Sequence, residues 1–344
     1  MAIAGFVGIA LLASGLAAVN KEQAGHESSF PKSLHYTGQG MRYWYEKDDG
    51  LKSITNIPYD QLACKQCHVK SCDVCHGPKQ AKTGAYTSEK AKDTKTCLSC
   101  HTKPAWQTSA DPNCGDVHAA KGKVCADCHK SGDVHGDGVL RNSMRDDGAV
   151  KASCANCHPP KEKESRAHTV HRDKLDCLAC HASNSTSCLN CHIDSFIKTG
   201  KEEGNYLPPV RDWLLLVNYK GKVTSGSVQT AVYNNKKFIA YGPYFSHSVS
   251  AKARQCVDCH GNAATRLLQK DQSVPMAVFK DGKMVPWNGV VPLVPDKLEW
   301  SFLNKAQDSW VPVEGNEPAK IQLVNFAEPL TKDQIKKMGM PFKK

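Results

Sequence analysis

The sequence predicts a mostly irregular chain with short α-helices around a core that its own side chains do not supply, plus a small β-rich C-terminal part. Three observations predict this. The signature Cys-x-x-Cys-His occurs eight times in 344 residues and uses all but one of the 17 cysteines. Seven copies crowd between Cys64 and His192, in a stretch rich in Lys, Asp, Ser and Ala and poor in large apolar side chains. Such a composition does not bury enough apolar surface to order itself. From about Tyr206 the pattern changes to apolar runs punctuated by turn pairs, which is how strands and hairpins read.

Residues 1–20, MAIAGFVGIALLASGLAAVN, carry no charged side chain. About twenty apolar residues suffice to span a bilayer, so this segment reads as a membrane anchor. A secretory signal normally opens with Lys or Arg, and none stands here; signal peptide and buried helix are the alternatives. Residues 21–60 read as a linker and cap. Within them SLHYTGQGMRYWY (33–45) gathers His35, Met41 and an aromatic cluster.

Residues 61–200 hold the dense run of motifs, and its opening CKQCHVKSCDVCH (64–76) leaves only Val69, Lys70 and Ser71 between two copies. Cysteines three apart lie on one side of a helical turn, with the next-door His beneath whatever they grip. Zinc, a redox disulfide and covalent haem all use paired cysteines. Zinc has no use for a His fixed after every second Cys, and a thioredoxin-type pair occurs once, not eight times. Haem c needs all three residues, two for thioether bonds and one as proximal iron ligand. The attachment residues are then Cys64 and Cys67, Cys72 and Cys75, Cys97 and Cys100, Cys125 and Cys128, Cys154 and Cys157, Cys177 and Cys180, Cys188 and Cys191, and Cys256 and Cys259. The proximal ligands are His68, His76, His101, His129, His158, His181, His192 and His260. Eight covalent haem c groups follow, and the expected core of residues 61–200 is a haem core.

A six-coordinate haem needs a second ligand. Seven histidines lie outside the motifs: His26, His35, His118, His135, His168, His171 and His247. All are distal candidates. Gly-Asp-Val-His stands at 115–118 and again at 132–135, on either side of the motif at Cys125–His129, which suggests one job done twice. Seven imidazoles leave one of eight irons short, and Met41 and Met144 are the candidate eighth ligands. Cys114 fits no motif and reads as a buried, inert thiol.

Residues 201–344 carry the β signals and the eighth motif. Trp213–Tyr219 reads as a buried strand. Val228–Tyr233 and Lys236–Tyr241 flank Asn234-Asn235 as a hairpin, and Ala277–Val285 turns at Asp281-Gly282. Leu298–Leu303 and Ser309–Val313 suggest a third hairpin. Thr331–Met338 reads as a closing helix with Pro341 after it.

On these motifs the chain resembles the multihaem c-type cytochromes. His168-Thr-Val-His171 is similar to the His-x-x-His of the tetrahaem cytochrome c3 family, where the two imidazoles serve different haems. PKSLHYTGQGMRYWYEK and GPYFSHSVSAKARQCVDCHGN resemble octahaem cytochromes found beside quinol-oxidising cytochrome b subunits. The resemblance implies an electron carrier rather than an enzyme, assembled outside the cytoplasm and held at the membrane by residues 1–20. It would be part of a respiratory chain, with redox proteins such as a membrane cytochrome b complex as partners. An octahaem reductase of nitrogen or sulfur oxyanions and a subunit of a polymerised extracellular cytochrome filament are the alternatives. The formal charge of +11 invites a nucleic-acid reading, but the haem propionates offset it. The loaded protein comes to about +3 oxidised and about −5 reduced, so no nucleic-acid partner is expected.

Overall fold

The computed structural model describes residues 25–63, 68–101, 115–159, 165–191, 193–201, 210–306 and 309–340. The expected anchor at 1–20, together with Cys64, Cys67, Cys114 and His192, lies outside the described residues. The chain divides into two compact units interleaved in sequence. The first comprises 1–43, 65–101 and 124–153, and the second 44–64, 102–123 and 154–344.

The second unit is organised by β-structure. Its strands are β1 (Cys188–Cys191), β2 (Trp213–Tyr219), β3 (Lys222–Tyr233), β4 (Lys236–Pro243), β5 (Val274–Lys280), β6 (Lys283–Pro286), β7 (Gly289–Pro292), β8 (Leu298–Trp300), β9 (Leu303–Ala306), β10 (Ser309–Pro312) and β11 (Lys320–Leu323). A six-stranded mixed sheet runs β11-β4-β3-β2-β7, with β1 joined to β3. The early part of β3 pairs antiparallel with β2 at Lys222–Gly226, and β1 takes up the same strand further on, at Gln229 and Ala231. β6-β5-β8 and β10-β9 form two smaller sheets.

Turn chemistry fixes the hairpins. Asn234 and Asn235, between β3 and β4, sit at φ 47° and 64°, and Asp281 and Gly282, between β5 and β6, at φ 50° and 75°. Two consecutive left-handed residues match the twist of the flanking strands, and Asn, Asp and Gly tolerate that conformation best. β2 explains why its sequence does not alternate. Trp213, Leu215 and Val217 enter one apolar cluster with Val274, Met276 and Leu293. Leu214 and Leu216 enter another with Leu178, Ala179, Leu330 and Ile335. A strand buried on both faces reads as a continuous apolar run, and each such side chain contributes about 1.5–3 kcal/mol of burial.

The first unit is different. Its helices Leu34–Thr37, Asp73–His76, Glu89–Lys92, Thr94–Leu98, Cys125–Cys128 and Ser131–His135 span one turn or little more, far below the ~12–15 residues at which an isolated helix becomes marginal in water. Among the described residues its buried apolar side chains are Ala85 and Ala149 alone. All four apolar clusters belong to the second unit.

The expected fold class is therefore corrected. Mostly irregular structure around a haem core does not describe the chain as a whole: a mixed sheet with apolar clusters on both faces organises the second unit. The β-rich part is not confined to 201–344, because β1 draws the seventh motif into the sheet. Nor does the fold itself build the expected metal-binding centre. Among the described residues no group of three or more His, Cys, Asp or Glu could hold a metal ion, and a protein-only centre needs three or four donors. The expected transmembrane helix falls on residues 1–20, outside the described residues. Among the described residues no helix is long and apolar enough to cross a membrane.

Candidate functional site

Most described motifs are single helical turns closed in the same way. The N–H groups of His76, His101, His129, His158 and His260 donate to the carbonyl of the first Cys of their own motif at 2.8–2.9 Å. Aspartates set these turns. Asp93 and Asp176 accept from Lys95 and Leu178 at helix starts, and Asp127 and Asp258 reach back to the N–H of Val124 and Gln255. A side-chain oxygen there satisfies a donor that the helix leaves orphaned. Cys188–Cys191 departs from the expected helical turn. It is strand β1, with the intervening Asn190 fully buried at φ 47° and its N–H given to Thr230.

The attachment cysteines differ in how deeply they lie. Cys188 is buried in the sheet, whereas Cys100, Cys128, Cys154, Cys157 and Cys177 are exposed. The motif at Cys154 and Cys157 departs furthest. It is a tight 3-10 turn, Cys154–Asn156, closed by Cys157 N–H donating to the Cys154 carbonyl at 3.2 Å, and all of 153–159 is exposed. The physical reason lies in its neighbours. Ser153, Ala155, Asn156, Pro159 and Pro160 bring no large apolar side chain to pull the turn inward, and the sheet of the second unit draws its clusters from other segments. The chain's own packing therefore leaves both cysteines of this motif exposed.

Five motif imidazoles each face a histidine from outside the motifs. Ring centroids lie 5.8 Å apart for His76 and His135, 6.0 Å for His101 and His35, and 6.0 Å for His158 and His118. They lie 6.4 Å apart for His181 and His168 and 6.2 Å for His260 and His171. These spacings have a chemical meaning. Two imidazoles on opposite sides of one metal, with bonds of about 2.0 Å and a ring radius of about 1.15 Å, place their centroids about 6.3 Å apart. The donor set thus fits the axial positions of a haem, whose porphyrin nitrogens supply the other four ligands.

Local structure aims each outer histidine. His35 lies on the helix Leu34–Thr37, which Ser33 caps by accepting from Tyr36 N–H. The linker between the first two motifs holds that helix: Val69 N–H donates to the His35 carbonyl, and Lys70 Nζ donates to that of Tyr36. Gly38 ends the helix at φ 62°, and a Cβ there would run into the His68 ring, so only glycine allows this approach. His168 and His171 share the helix Arg166–His171, capped by Ser165. One turn of helix therefore serves two motifs, at His181 and His260. The two Gly-Asp-Val-His copies aim at His158 and His76, and neither aims at His129, the motif they bracket in sequence. Their aspartates also differ. Asp116 caps the turn after His118 and takes the N–H of Val249, whereas Asp133 takes the His129 ring.

The imidazole tautomers suit ligation. Nδ1 of His76, His181 and His260 bonds to the carbonyls of Thr87, Ser250 and Lys337, and Nδ1 of His135 and His171 to those of Ser131 and Ala167. A carbonyl only accepts, so Nδ1 carries the proton and Nε2 keeps its lone pair for a metal. Burial also favours the uncharged ring. His135 is pushed down to about 4, by burial first and then by His26 and His76. His35 and His101 are lowered too, by burial and by the neighbouring imidazoles His101 and His129 respectively. A depressed value means that the lone-pair form persists above it and is lost as pH falls through it.

Thiols of successive motifs meet. Cys97 donates to the Cys125 sulfur, which pushes Cys97 up and holds Cys125 down to about 6. Cys154 does the same for Cys177, also held at about 6. Cys75 lies near Cys100, and Cys180 near Cys256 and Cys259. Beside Cys180 a cavity of about 260 Å³ is lined by Ser250, Lys252, Arg254 and Asp258. Each unit thus carries its own run of adjacent motifs: 72–76, 97–101 and 125–129 in the first, and 154–158, 177–181 and 256–260 in the second.

The other candidates are placed as follows. His26 stacks on His135 at 4.3 Å, too close for a metal between them. His247 is half-buried between Ser246 and Ser248. Met41 and Met144 are about half exposed, at 47% and 51%. Sequence reading missed Asp133 and the carbonyl acceptors, because nothing local marks a residue as the partner of a ring. Comparison with protein-family models, with curated proteins and with solved structures found no match.

Proposed function

We propose that this chain is an octahaem c-type cytochrome that carries electrons outside the cytoplasmic membrane, between redox partner proteins such as a quinol-oxidising complex and a further acceptor. One observation carries the reading: five motif imidazoles each face a non-motif imidazole at 5.8–6.4 Å, which is the span of two rings on one iron. When bound, haem supplies an iron that takes up and gives back one electron. The cysteine pairs would hold it by thioether bonds. The motif histidines would be its proximal ligands, and His135, His35, His118, His168 and His171 the distal ligands for motifs 72–76, 97–101, 154–158, 177–181 and 256–260.

The remaining chemistry belongs to the chain. Carbonyl acceptors fix the ring tautomers, so ligation needs no proton to move when an electron arrives. Adjacent thiols place the attachment points of successive groups side by side, which suits transfer along each run. The first unit, with only two alanines as buried apolar side chains among its described residues, gains the apolar surface it lacks.

Intact mass of protein matured outside the cytoplasm is expected to exceed the polypeptide mass by eight haems, and an excess of fewer than about seven would overturn the octahaem reading.

A further inference from the structure

The carboxylate behind His129 sets that motif apart. His129 Nδ1 bonds to Asp133 Oδ2 at 3.2 Å, and the Asp133 side chain is only 4% exposed. Two backbone N–H groups hold the same carboxylate: Lys151 donates to Oδ1 at 2.8 Å and Ala152 to Oδ2 at 3.3 Å. His76, in the same unit, gives its Nδ1 to the uncharged carbonyl of Thr87, as His181 and His260 do to Ser250 and Lys337. A full negative charge on the far side of the ring draws the Nδ1 proton outward and makes Nε2 a stronger donor. A stronger donor favours the ferric state, which carries one more positive charge than the ferrous, and so lowers the reduction potential. No bond forms or breaks: one electron enters the iron and the hydrogen bond stays.

We propose that Asp133 is a positioning residue that, acting through His129, holds the haem of Cys125 and Cys128 at a lower potential than the haem of Cys72 and Cys75. The inference rests on the octahaem reading above. Asp133 and His135 stand two residues apart on one short helix, so that helix serves both groups: a carboxylate behind His129 and a ligand facing His76. Unequal potentials at the two ends of the first unit's run give electrons a preferred resting place.

The test is Asp133→Asn in the haem-loaded protein. Intact mass reads the haem count, and stepwise reduction followed by EPR and paramagnetic NMR reads the individual sites. Asp133→Asn should keep every haem and raise one midpoint, at the His129 site, with a change in that site's g-values. A full haem count with all midpoints unchanged in Asp133→Asn would show that the aspartate only braces the backbone. In the unmutated protein the His129 site should be reduced after the His76 site; the reverse order overturns the proposal even if the variant loses haem. A low haem count in the unmutated protein would instead strike the octahaem reading.

Discussion

Protein made without haem, or with its motif cysteines changed to serine, is expected to lose its first unit and keep the sheet of its second. Ordering a residue costs about 1–2 kcal/mol of backbone entropy, and a domain offsets this chiefly by burying apolar surface at about 25 cal/mol per Å². The first unit buries Ala85 and Ala149 and little else that is apolar. Its helices of four or five residues add nothing on their own. The second unit has Trp213, Leu214, Leu215, Val217, Tyr241, Met276 and Leu293 at 0–1% exposure. Hydrogen exchange resolved by segment gives the readout. Amides of β2, β3 and β4 should stay protected in the haem-free chain, while those of Asp73–His76, Thr94–Leu98 and Ser131–His135 should exchange at the rate of an unfolded peptide. Equal protection in both units would mean that the first unit has a core of its own, and the argument that haem completes it would fail.

That contrast also marks what could be read from the sequence. The hairpins at Asn234-Asn235 and Asp281-Gly282 were legible because the left-handed residues are adjacent to the strands they join. The run Trp213-Leu-Leu-Leu-Val was legible as a buried strand because burial on both faces removes alternation. The turn at Lys220 and Gly221, with φ 48° and 76°, carries the same signal in weaker form and went unread. The seventh motif could not be read, because its spacing matches that of the helical motifs. What makes β1 a strand is remote: Thr230 accepting from Asn190, and Asn190 accepting from the N–H of Leu303. The surface position of Cys157 was equally hidden, since identical spacing at Cys188 and Cys191 accompanies a buried sulfur and at Cys154 and Cys157 two exposed ones. Candidate ligands were legible as residue types, since imidazoles beyond those of the motifs have an obvious use. Their pairing was not. His118 finds His158, and His171 finds His260, across separations that only the tertiary fold decides. The Gly-Asp-Val-His repeat misled in this respect, as local likeness says nothing about what each copy meets.

Replacing each facing histidine with alanine should convert one haem from low to high spin while every haem stays attached, a change of about one-eighth of the low-spin signal per substitution. Attachment depends on the cysteines, and spin state on the second axial ligand, so the two readouts separate. The series His35→Ala, His118→Ala, His135→Ala, His168→Ala and His171→Ala tests five assignments by near-infrared magnetic circular dichroism and EPR. His26→Ala is the internal contrast. It stacks at 4.3 Å on His135 and should leave the spin count alone, although it removes a neighbour that helps depress His135. The most discriminating variant carries His168→Ala and His171→Ala together. The two rings sit on one helical turn, three residues apart, and face His181 and His260. If each serves its own iron, the double variant should convert two haems, and the two single changes should add. Independent sites add and shared sites do not. A double variant that converts only one would mean that both rings serve a single site. The 6.2 Å and 6.4 Å spacings would then have to be read as packing, and the pairing of imidazoles would lose its force as evidence for bound iron.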